Sequence, residues 1–387
     1  MKNIAVFFGG QSVEHEVSVI TAVQVMEQIK KLGENVIPVY ITKNGVWKTG
    51  ESLKNIDTFK EKNFGNCEEV YMTAQKDDFN IYIKKEKTGL FKKANKIYNV
   101  DICFPILHGT NGEDGTIQGL FEFKNIPYVG PSVLASSVGM DKIIMKKLFK
   151  AHGLPVVEHK WFYRKDYLLD AEAIIAEVEK ELRYPLIVKP SNLGSSVGIS
   201  VAKTKEELKK SINIAVEYDR KILIEEKIED CREINCAVLG VDDNIEASLC
   251  EEPILNSDLL SYKDKYIQKG KTANSKGENK RKIPADIPKV LEDKVKKISK
   301  DAFKAIDASG VSRIDFLYND KKEIIYINEI NTIPGSLAFY LWEKMNIDFS
   351  MLIQKLIEIA QYKYEEKDKT CFSYDQIDLF DANFKAK

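Results

Sequence analysis

Short apolar runs and amphipathic stretches alternate in the first part of the chain. Residues 4–10 (IAVFFGG) predict a buried strand, residues 14–33 a helix ending at Gly33, and residues 34–41 a second strand. A strand, a helix and a strand in this order favour a parallel sheet with helices on its faces. We therefore expect an α/β domain at the N-terminus.

The later pattern mixes strands that fold back on themselves with amphipathic helices. Residues 254–286 form a long segment rich in Lys, Ser, Asn and Gly with little periodicity, and segments of this kind are functional or disordered. Residues 50–95 are polar and contain at most a hairpin. The clearer predictions are helices at 133–155, 204–218 (capped by Thr204), 287–308 and 347–367, strands at 100–109, 221–228 and 232–240, a strand–loop–strand at 184–202, and a hairpin at 311–331.

These elements predict three domains and a tail. A chain of 387 residues is long enough for two or three domains, each of about 100–200 residues. We place an N-terminal βαβ domain at residues 1–125, a small lobe at 126–220 and a C-terminal lobe at 221–368. The long loop occupies about 254–286, and residues 369–387 are a tail without a recognisable pattern.

Composition argues against several classes of partner. The 58 Lys and Arg residues nearly balance the 59 Asp and Glu residues, so no global field favours nucleic acid or an anionic membrane. There is no run of about 18 apolar residues for a membrane-spanning helix, and the first residues lack the features of a signal peptide. The six cysteines have no CxxC spacing, which favours reduced thiols in a cytoplasmic protein.

The C-terminal hairpin carries the first candidate chemistry. Because side chains alternate along a strand, Glu329 shares one face with Asn331 and Arg313 shares one with Asp315, whereas Asn328 falls on the opposite face. Two carboxylates held close together repel unless a cation lies between them, and these oxygen donors suit Mg²⁺. The alternative is a solvated edge with ordinary surface charges.

A glycine-rich turn follows another apolar strand. Lys189 ends that strand, and the small residues Gly194, Ser195, Ser196 and Gly198 follow it. Backbone N–H groups of such a turn approach phosphate oxygens closely, and a nearby lysine adds positive charge. The spacing is not that of a P-loop, and a plain hairpin remains the alternative.

A third candidate lies where two strands are connected. Glu225 and Glu226 end one apolar strand and Glu233 opens the next. A connection between two lobes is a usual place for an adenine to take backbone hydrogen bonds. Exposed charges at a strand end are the alternative.

The last candidates follow buried strands of the N-terminal domain. Glu14 lies four residues after Gly10, and His108 lies on the loop after a second strand. Ligands of open parallel sheets bind beyond the carboxyl ends of the strands. A lone histidine is more often structural than catalytic, although a neighbouring glycine at a strand end favours a functional role.

Taken together and in this order, the motifs resemble one family. GGQSVEHEVS, LHGTNGEDGTIQG, MDK, VKPSNLGSSVG and INEINTIPG are similar to those of the D-alanine–D-alanine ligases of the ATP-grasp superfamily. The resemblance covers roughly residues 3–365. It implies an ATP-grasp fold of the α/β (α+β) class behind an N-terminal parallel α/β domain, and a cytoplasmic homodimer that acts in peptidoglycan synthesis.

The resemblance also implies a reaction. ATP phosphorylates the carboxylate of one D-alanine, and the amine of a second D-alanine attacks the acyl phosphate. The implied cofactors are ATP, two Mg²⁺ (or Mn²⁺) ions and K⁺. Metal ions and lysines would neutralise charge on the transferring phosphoryl group.

Residue roles carry over motif by motif. Glu14, Ser195 and His108 would hold the first amino acid, and Arg313 with the N–H of Gly335 would form the oxyanion site. The remaining implied contacts are Lys142, Lys189 and Ser196 at the phosphates, Glu225, Glu226 and Glu233 at the nucleoside, and Asp315, Glu329 and Asn331 at the metal ions.

The long loop matches an ω-loop that closes over the site in this family. Lys265 would reach a phosphate, and Tyr266 would hydrogen-bond with the serine–glutamate end of the site. A tyrosine here is typical of the D-alanine type, whereas relatives that accept D-lactate carry a different loop. The alternative is a disordered basic linker.

The chain departs from the family pattern directly after Gly335. Members usually carry about four further residues before a Ser-Leu or Ser-Met pair, but here Ser336 and Leu337 follow at once. If a short deletion relative to the family pattern is allowed, the resemblance places this pair at the carboxylate of the second substrate. If it is not allowed, the resemblance places Tyr340 there. We favour Ser336. A ligase that adds D-serine or another small amino acid, and a non-catalytic ATP sensor, are the alternative functions.

Overall fold

The computed structural model describes residues 1–84, 96–254 and 281–372, and its N-terminal part is built on a sheet of seven described strands. The strands are β1 (Asn3–Gly9), β2 (Asn35–Ile41), β3 (Trp47–Thr49), β4 (Glu68–Tyr71), β5 (Asn80–Ile83), β6 (Lys96–Asn99) and β7 (Ile102–Ile106), in the order β6-β5-β4-β3-β2-β1-β7. β1 pairs in parallel with β2 and β7, and α1 (His15–Lys31) connects β1 to β2. Residues 4–8 have no exposed surface because both faces of this parallel part are covered. The predicted βαβ unit is confirmed.

The middle of the chain forms a second, antiparallel sheet. Its described strands are β8 (His159–Tyr163), β9 (Leu186–Pro190), β10 (Ser200–Ala202) and β11 (Lys221–Glu226), in the order β10-β9-β11-β8. Helices α6 (Arg164–Leu169), α7 (Ala171–Glu181) and α8 (Lys205–Tyr218) share its core. Thr204 caps α8 as predicted. β11, which follows the predicted boundary at residue 220, hydrogen-bonds within this sheet to β8 and β9.

The stretch predicted as one helix at 133–155 is two helices, α4 (Val133–Met140) and α5 (Lys142–Ala151). Asp141 separates them in an extended conformation, and its carboxylate accepts hydrogen bonds from the N–H groups of Ile143 and Ile144. An aspartate that caps a new helix competes with continuation of the preceding one. The break makes Lys142 the first residue of α5.

A third sheet carries the predicted hairpin. It contains β12 (Cys231–Val241), β13 (Asn244–Pro253), β14 (Arg281–Lys282), β15 (Gly310–Asn319) and β16 (Ile324–Asn331), in the order β14-β13-β12-β15-β16. α9 (Lys289–Ala305) packs on it, and α10 (Phe349–Asp368) shares a core with α1. The other described helices are α2 (Ile56–Lys60), α3 (Thr116–Lys124) and 3-10 segments at Glu51–Lys54, Gly335–Leu341 and Glu343–Met345. No helix in the described ranges is long and apolar enough to span a membrane.

A β-bulge interrupts the hairpin and corrects the predicted assignment of faces. Asp315 pairs with Glu329 and pairing resumes at Ile327, so Asn328 is an extra residue in β16. Ile327 and Ile330 are both buried in the core of the sheet. Asn328 therefore turns to the same side as Glu329, and strict alternation was the wrong assumption at this point.

Candidate active site

Glu14 is the residue before α1 and lies five residues after Gly9, where β1 ends. Its side chain is buried and accepts a hydrogen bond from the Ser195 hydroxyl, 181 residues away in the chain. A Cβ atom on Gly109 or Gly194 would lie 2.9 or 2.7 Å from a carboxylate oxygen of Glu14. A side chain at either position would therefore displace the Glu14 carboxylate from its place between these two loops.

Ser195 and Ser196 belong to the glycine-rich turn between β9 and β10. Their φ angles of 55° and 58° place both residues in the left-handed region, which non-glycine residues seldom adopt. This conformation aims the Ser195 side chain across the lobe boundary to Glu14. The structure thus brings together two residues that sequence reasoning assigned to one subsite.

His108 lies beside this pair and is buried. Burial lowers its pKa, although the nearby Glu14 acts to raise it. Its Nε2 atom is 3.4 Å from the Thr21 hydroxyl, and this hydroxyl also accepts the backbone N–H of Ser336 at 3.1 Å. His108 is therefore connected through α1 to the segment that follows Gly335.

Glu113 was missed as a functional candidate, although it lies within the quoted motif LHGTNGEDG. Its two carboxylate oxygens accept the N–H groups of Gly109 and Ile333, both at 2.9 Å. Burial and the nearby carboxylates of Glu14 and Glu329 raise its pKa to about 8. Glu113 thereby ties the loop after β7 to the loop after β16. An acidic residue between glycines after a buried strand was the available signal.

The hairpin places its polar residues in register. Arg313 lies opposite Asn331 and Asp315 lies opposite Glu329. Arg313 donates from Nε and Nη2 to the two oxygens of Asp315 at 2.6 and 2.7 Å, and Asn331 donates to Asp315 at 3.0 Å. Lys142 Nζ lies 3.3 Å from Glu329 Oε2. The predicted metal ligands are therefore brought together, and in this structure basic side chains compensate their charge.

These residues fit a hard cation by the chemistry of their donors. Asp315 and Glu329 are carboxylates on directly paired strands, where like charges repel unless compensated, and the Asn331 amide adds a neutral oxygen. Among the described residues no group of three or more His, Cys, Asp or Glu side chains forms a metal-binding cluster. A metal site here would thus depend on the two carboxylates, the amide and oxygens from a ligand, as is usual for Mg²⁺.

Lysines line the opposite wall, on α5 and β9. Lys142 also donates to the carbonyl of Leu193 in the glycine-rich turn at 3.1 Å, and Lys189 donates to Asn328 Oδ1 at 3.1 Å. Lys189 contacts the buried carboxylate of Glu225 as well. Both lysines predicted to bind phosphate therefore lie beside the β15–β16 hairpin.

Glu225 is not the exposed strand-end charge that was the alternative interpretation, because only 2% of its surface is accessible. Burial acts to raise its pKa, but Lys146 and Lys189 outweigh burial and hold it at about 2. Glu226 is half-buried and accepts the N–H of Arg183 at 3.0 Å, and Glu233 is half-buried on β12.

Ser336 lies in a 3-10 segment in which three successive residues have φ angles near +50°. Its hydroxyl donates to Gln24 Oε1 of α1 at 2.9 Å. Tyr340 donates instead to Glu251 at 3.1 Å, beneath the Arg281 guanidinium. An ideal Cβ on Gly335 would meet no atom within 4 Å, so there is open space beside it. The predicted residues Lys265 and Tyr266 lie outside the described residues.

Two antiparallel sheets meet here over a lysine-lined wall, a glycine-rich turn and an acidic hairpin, and this arrangement defines an enzyme of the ATP-grasp class. Family models agree along most of the chain: "D-ala D-ala ligase N-terminus" matches residues 3–131 and "D-ala D-ala ligase C-terminus" matches residues 148–358. The chain belongs to the D-alanine–D-alanine ligase family.

Individual relatives agree with this assignment. A D-alanine–D-alanine ligase of Acetivibrio thermocellus is 42% identical over 97% of this chain and 99% of its own length. The D-alanine–D-alanine ligase structure from Coxiella burnetii has a TM-score of 0.77 and 29% identity, covering 95% of this chain and 96% of that one. The VanG D-Ala:D-Ser ligase structure from Enterococcus faecalis has a TM-score of 0.77 and 34% identity, covering 93% and 99%. The family, the ATP-grasp fold and the ligase class predicted from the sequence are confirmed, and the alternatives are not favoured.

Proposed function

We propose that this site joins two D-alanine molecules to D-alanyl-D-alanine at the expense of ATP, through an acyl phosphate, for peptidoglycan precursor synthesis. One observation supports this most strongly. The hydrogen bond from Ser195 to Glu14 joins the glycine-rich turn of the nucleotide lobe to the N-terminal domain. An amino acid held at Glu14 would therefore lie beside the phosphate end of a nucleotide.

The first D-alanine would be anchored at its ammonium group. Glu14 accepts a hydrogen bond from Ser195 and lies close enough to Glu113 to raise the pKa of that carboxyl. An ammonium ion placed here would relieve this repulsion and gain a charge-assisted hydrogen bond. His108, whose pKa burial lowers, would face the same subsite as a neutral ring.

The nucleotide would lie between the two antiparallel sheets. Lys142 and Lys189 would contact its phosphates, and the turn containing Ser196 would cover them. Glu225, Glu226 and Glu233 would hold the nucleoside. Asp315, Glu329 and Asn331 would hold two Mg²⁺ (or Mn²⁺) ions, which when bound neutralise charge on the phosphoryl group. K⁺ is a further proposed cofactor.

The acyl transfer would take place at the end of β16. Arg313 and the N–H of Gly335 would stabilise the negative oxygen of the tetrahedral intermediate, and loss of one such donor typically costs about 10²–10³ in rate. Lys265 and Tyr266 would close over the site and exclude water. The amine of the second D-alanine, once deprotonated, would add to the carbonyl carbon to form the tetrahedral intermediate, and phosphate would then leave with the electron pair of the acyl–oxygen bond.

The second D-alanine would be held at its carboxylate by Ser336 and Leu337. The hydrogen bonds of Ser336 to Thr21 and Gln24 hold this turn against α1, near His108. Tyr340 is engaged with Glu251 at the other end of the segment. This separation favours Ser336 over Tyr340 as the acceptor residue.

The test is an acceptor screen with product identification. Purified full-length protein, ATP, Mg²⁺ and K⁺ are mixed with D-alanine alone or with D-alanine and equal D-serine or D-lactate. We expect ADP release with D-alanine alone and D-alanyl-D-alanine as the main product by mass. No ADP release with D-alanine, or a mainly mixed dipeptide, would overturn the assignment.

Ser336→Ala and Tyr340→Phe separate the two acceptor residues. Removing a hydroxyl that binds a carboxylate costs about 1.5–3 kcal/mol, or roughly 10- to 150-fold. We expect Ser336→Ala to raise the KM of the second D-alanine by that factor, with Tyr340→Phe close to wild type. The reverse order would assign the acceptor carboxylate to Tyr340.

Location and assembly are also proposals. We propose that the protein acts in the cytoplasm, where ATP is available, and as a homodimer through its N-terminal domain. Sedimentation of the purified protein tests the second statement, and a single monomeric species at micromolar concentration would contradict it.

A further inference from the structure

Lys146 is a fully buried lysine that no part of the proposed mechanism uses. It lies on α5, one helical turn after Lys142, and none of its surface is accessible. Its Nζ atom lies 2.5 Å from Glu225 Oε1. An isolated ammonium group is too costly to bury, so its burial depends on this carboxylate.

The contact between Lys146 and Glu225 is part of a buried chain of charges that ends at Lys189, a proposed phosphate ligand. The other oxygen of Glu225 contacts Lys189, and Lys189 donates to Asn328 on the β15–β16 hairpin at 3.1 Å. Glu225 is only 2% exposed and is thus shared between two ammonium groups. The three ions Lys146, Glu225 and Lys189 sum to one net positive charge.

This net charge matters for Lys189. If Lys146 were neutral, Glu225 and Lys189 would form a closed pair without net charge, and the low dielectric of the site would strengthen their attraction. A nucleotide phosphate would then have to break that pair to recruit Lys189. With Lys146 charged, Glu225 keeps a counter-ion when Lys189 turns to phosphate.

We propose that Lys146 is a positioning residue that neutralises Glu225 and so leaves the Lys189 ammonium available to the phosphates of ATP. The inference rests on the proposed function, because Lys189 is a phosphate ligand only within it. A purely structural ion pair would affect folding but would have no specific effect on nucleotide affinity.

The decisive variant is Lys146→Met, which keeps the length of the side chain and removes the charge. We expect the Kd of Mg-ATP, measured by calorimetry, and the KM for ATP to rise about 10- to 100-fold, the range of one charged hydrogen bond. The KM of the first D-alanine should stay within about twofold, because Lys146 does not reach Glu14. Lys147→Met is the matched control, since Lys147 is the next residue of α5, exposed over the Trp161 ring; it should bind ATP as wild type does.

A double variant distinguishes the mechanism from a structural role. Because Glu225 itself is proposed to hold the nucleoside, Lys146→Met/Glu225→Gln is compared with Glu225→Gln alone. With the buried carboxylate gone, Lys146→Met should change the Kd of Mg-ATP by no more than a few-fold in that background. Lys146→Gln, which retains a donor to Glu225 without charge, carries the same expectation as Lys146→Met if the latter does not fold.

Unchanged ATP affinity in a folded Lys146 variant, or an equally large effect of Lys146→Met in the Glu225→Gln background, would overturn the proposal. The calorimetric Kd needs no turnover of D-alanine. A wild-type protein that binds ATP but does not ligate D-alanine would therefore refute the proposed function while leaving this test intact.

Discussion

The carboxyl groups at the two ends of the site have different kinds of partner. At the phosphate end Asp315 contacts Arg313 and Glu329 contacts Lys142. At the amino-acid end Glu14 accepts a serine hydroxyl and Glu113 accepts backbone N–H groups, and in the described part of the chain neither forms an ion pair with a basic side chain.

This difference indicates what each end lacks. At the phosphate end, basic side chains already compensate the charge of the carboxylates. An incoming metal ion or polyphosphate would therefore replace one partner of these internal ion pairs. At the amino-acid end the two carboxyl groups have no basic partner among the described residues, and burial, together with the neighbouring Glu14 carboxylate, raises the pKa of Glu113 to about 8. A substrate ammonium ion would supply the positive charge that the amino-acid end lacks. The three predictions below test that contrast.

The largest effect is expected at the phosphate end, with Glu329→Gln. If Glu329 holds a metal ion, its loss removes several kcal/mol of charge stabilisation, and kcat should fall about 10³-fold. ATP binding measured by calorimetry should remain detectable. Glu323→Gln is the matched control, because Glu323 is exposed at the turn of the same hairpin. Full activity in Glu329→Gln would refute the metal assignment.

A smaller effect is expected at the amino-acid end, with Glu14→Gln. Losing a charge-assisted hydrogen bond to an ammonium ion costs about 1.5–3 kcal/mol, so the KM of the first D-alanine should rise roughly 10- to 150-fold. The Kd of ATP should stay near its wild-type value. Glu16→Gln on the exposed face of α1 provides the comparison. A loss of ATP affinity in Glu14→Gln as large as the increase in the KM of the first D-alanine would contradict the proposed difference between the two ends.

The third prediction concerns Glu113 and the pH dependence of stability, not catalysis. With a pKa raised from 4.5 to about 8, the folded protein keeps a proton that the unfolded chain releases, so this carboxyl destabilises the fold increasingly as pH rises from 4.5 to 8. Glu113→Gln lacks this dependence. In denaturant titrations without nucleotide or metal, its free energy of unfolding relative to wild type should increase by a few kcal/mol over that interval. A pH-independent difference would show that folding does not raise the pKa of Glu113.

Sequence reasoning found the residues better than it found their partners. Short motifs place fixed residue types at the end of a strand or the start of a helix. They made four features recognisable: the hairpin, the glycine-rich turn, Lys142 and Lys189. Glu113 was quoted but given no role, because its two partners are backbone N–H groups and one of them is 220 residues away. Lys146 was given no role, since helical periodicity does not show that a carboxylate from β11 lies beside it in the folded protein.

Local backbone breaks were a second source of error. The cap at Asp141 divides a stretch whose apolar periodicity is continuous, and the bulge at Asn328 reverses a face that alternation assigns the other way. At Asp141 the capping hydrogen bonds, and at Asn328 the extra residue in β16, outweigh a weak local preference.

What the sequence by itself determined is the family, the order of the sheets and the set of polar residues available at the strand ends. Only the tertiary structure decided which of those groups are charged, buried and paired. The physical reason is that strand and helix patterns depend on neighbours in the chain, whereas the state of an ionisable group depends on burial and on charges within a few ångströms. Those neighbours, such as Ser195 for Glu14 and Lys146 for Glu225, come from distant segments that meet only in the folded protein.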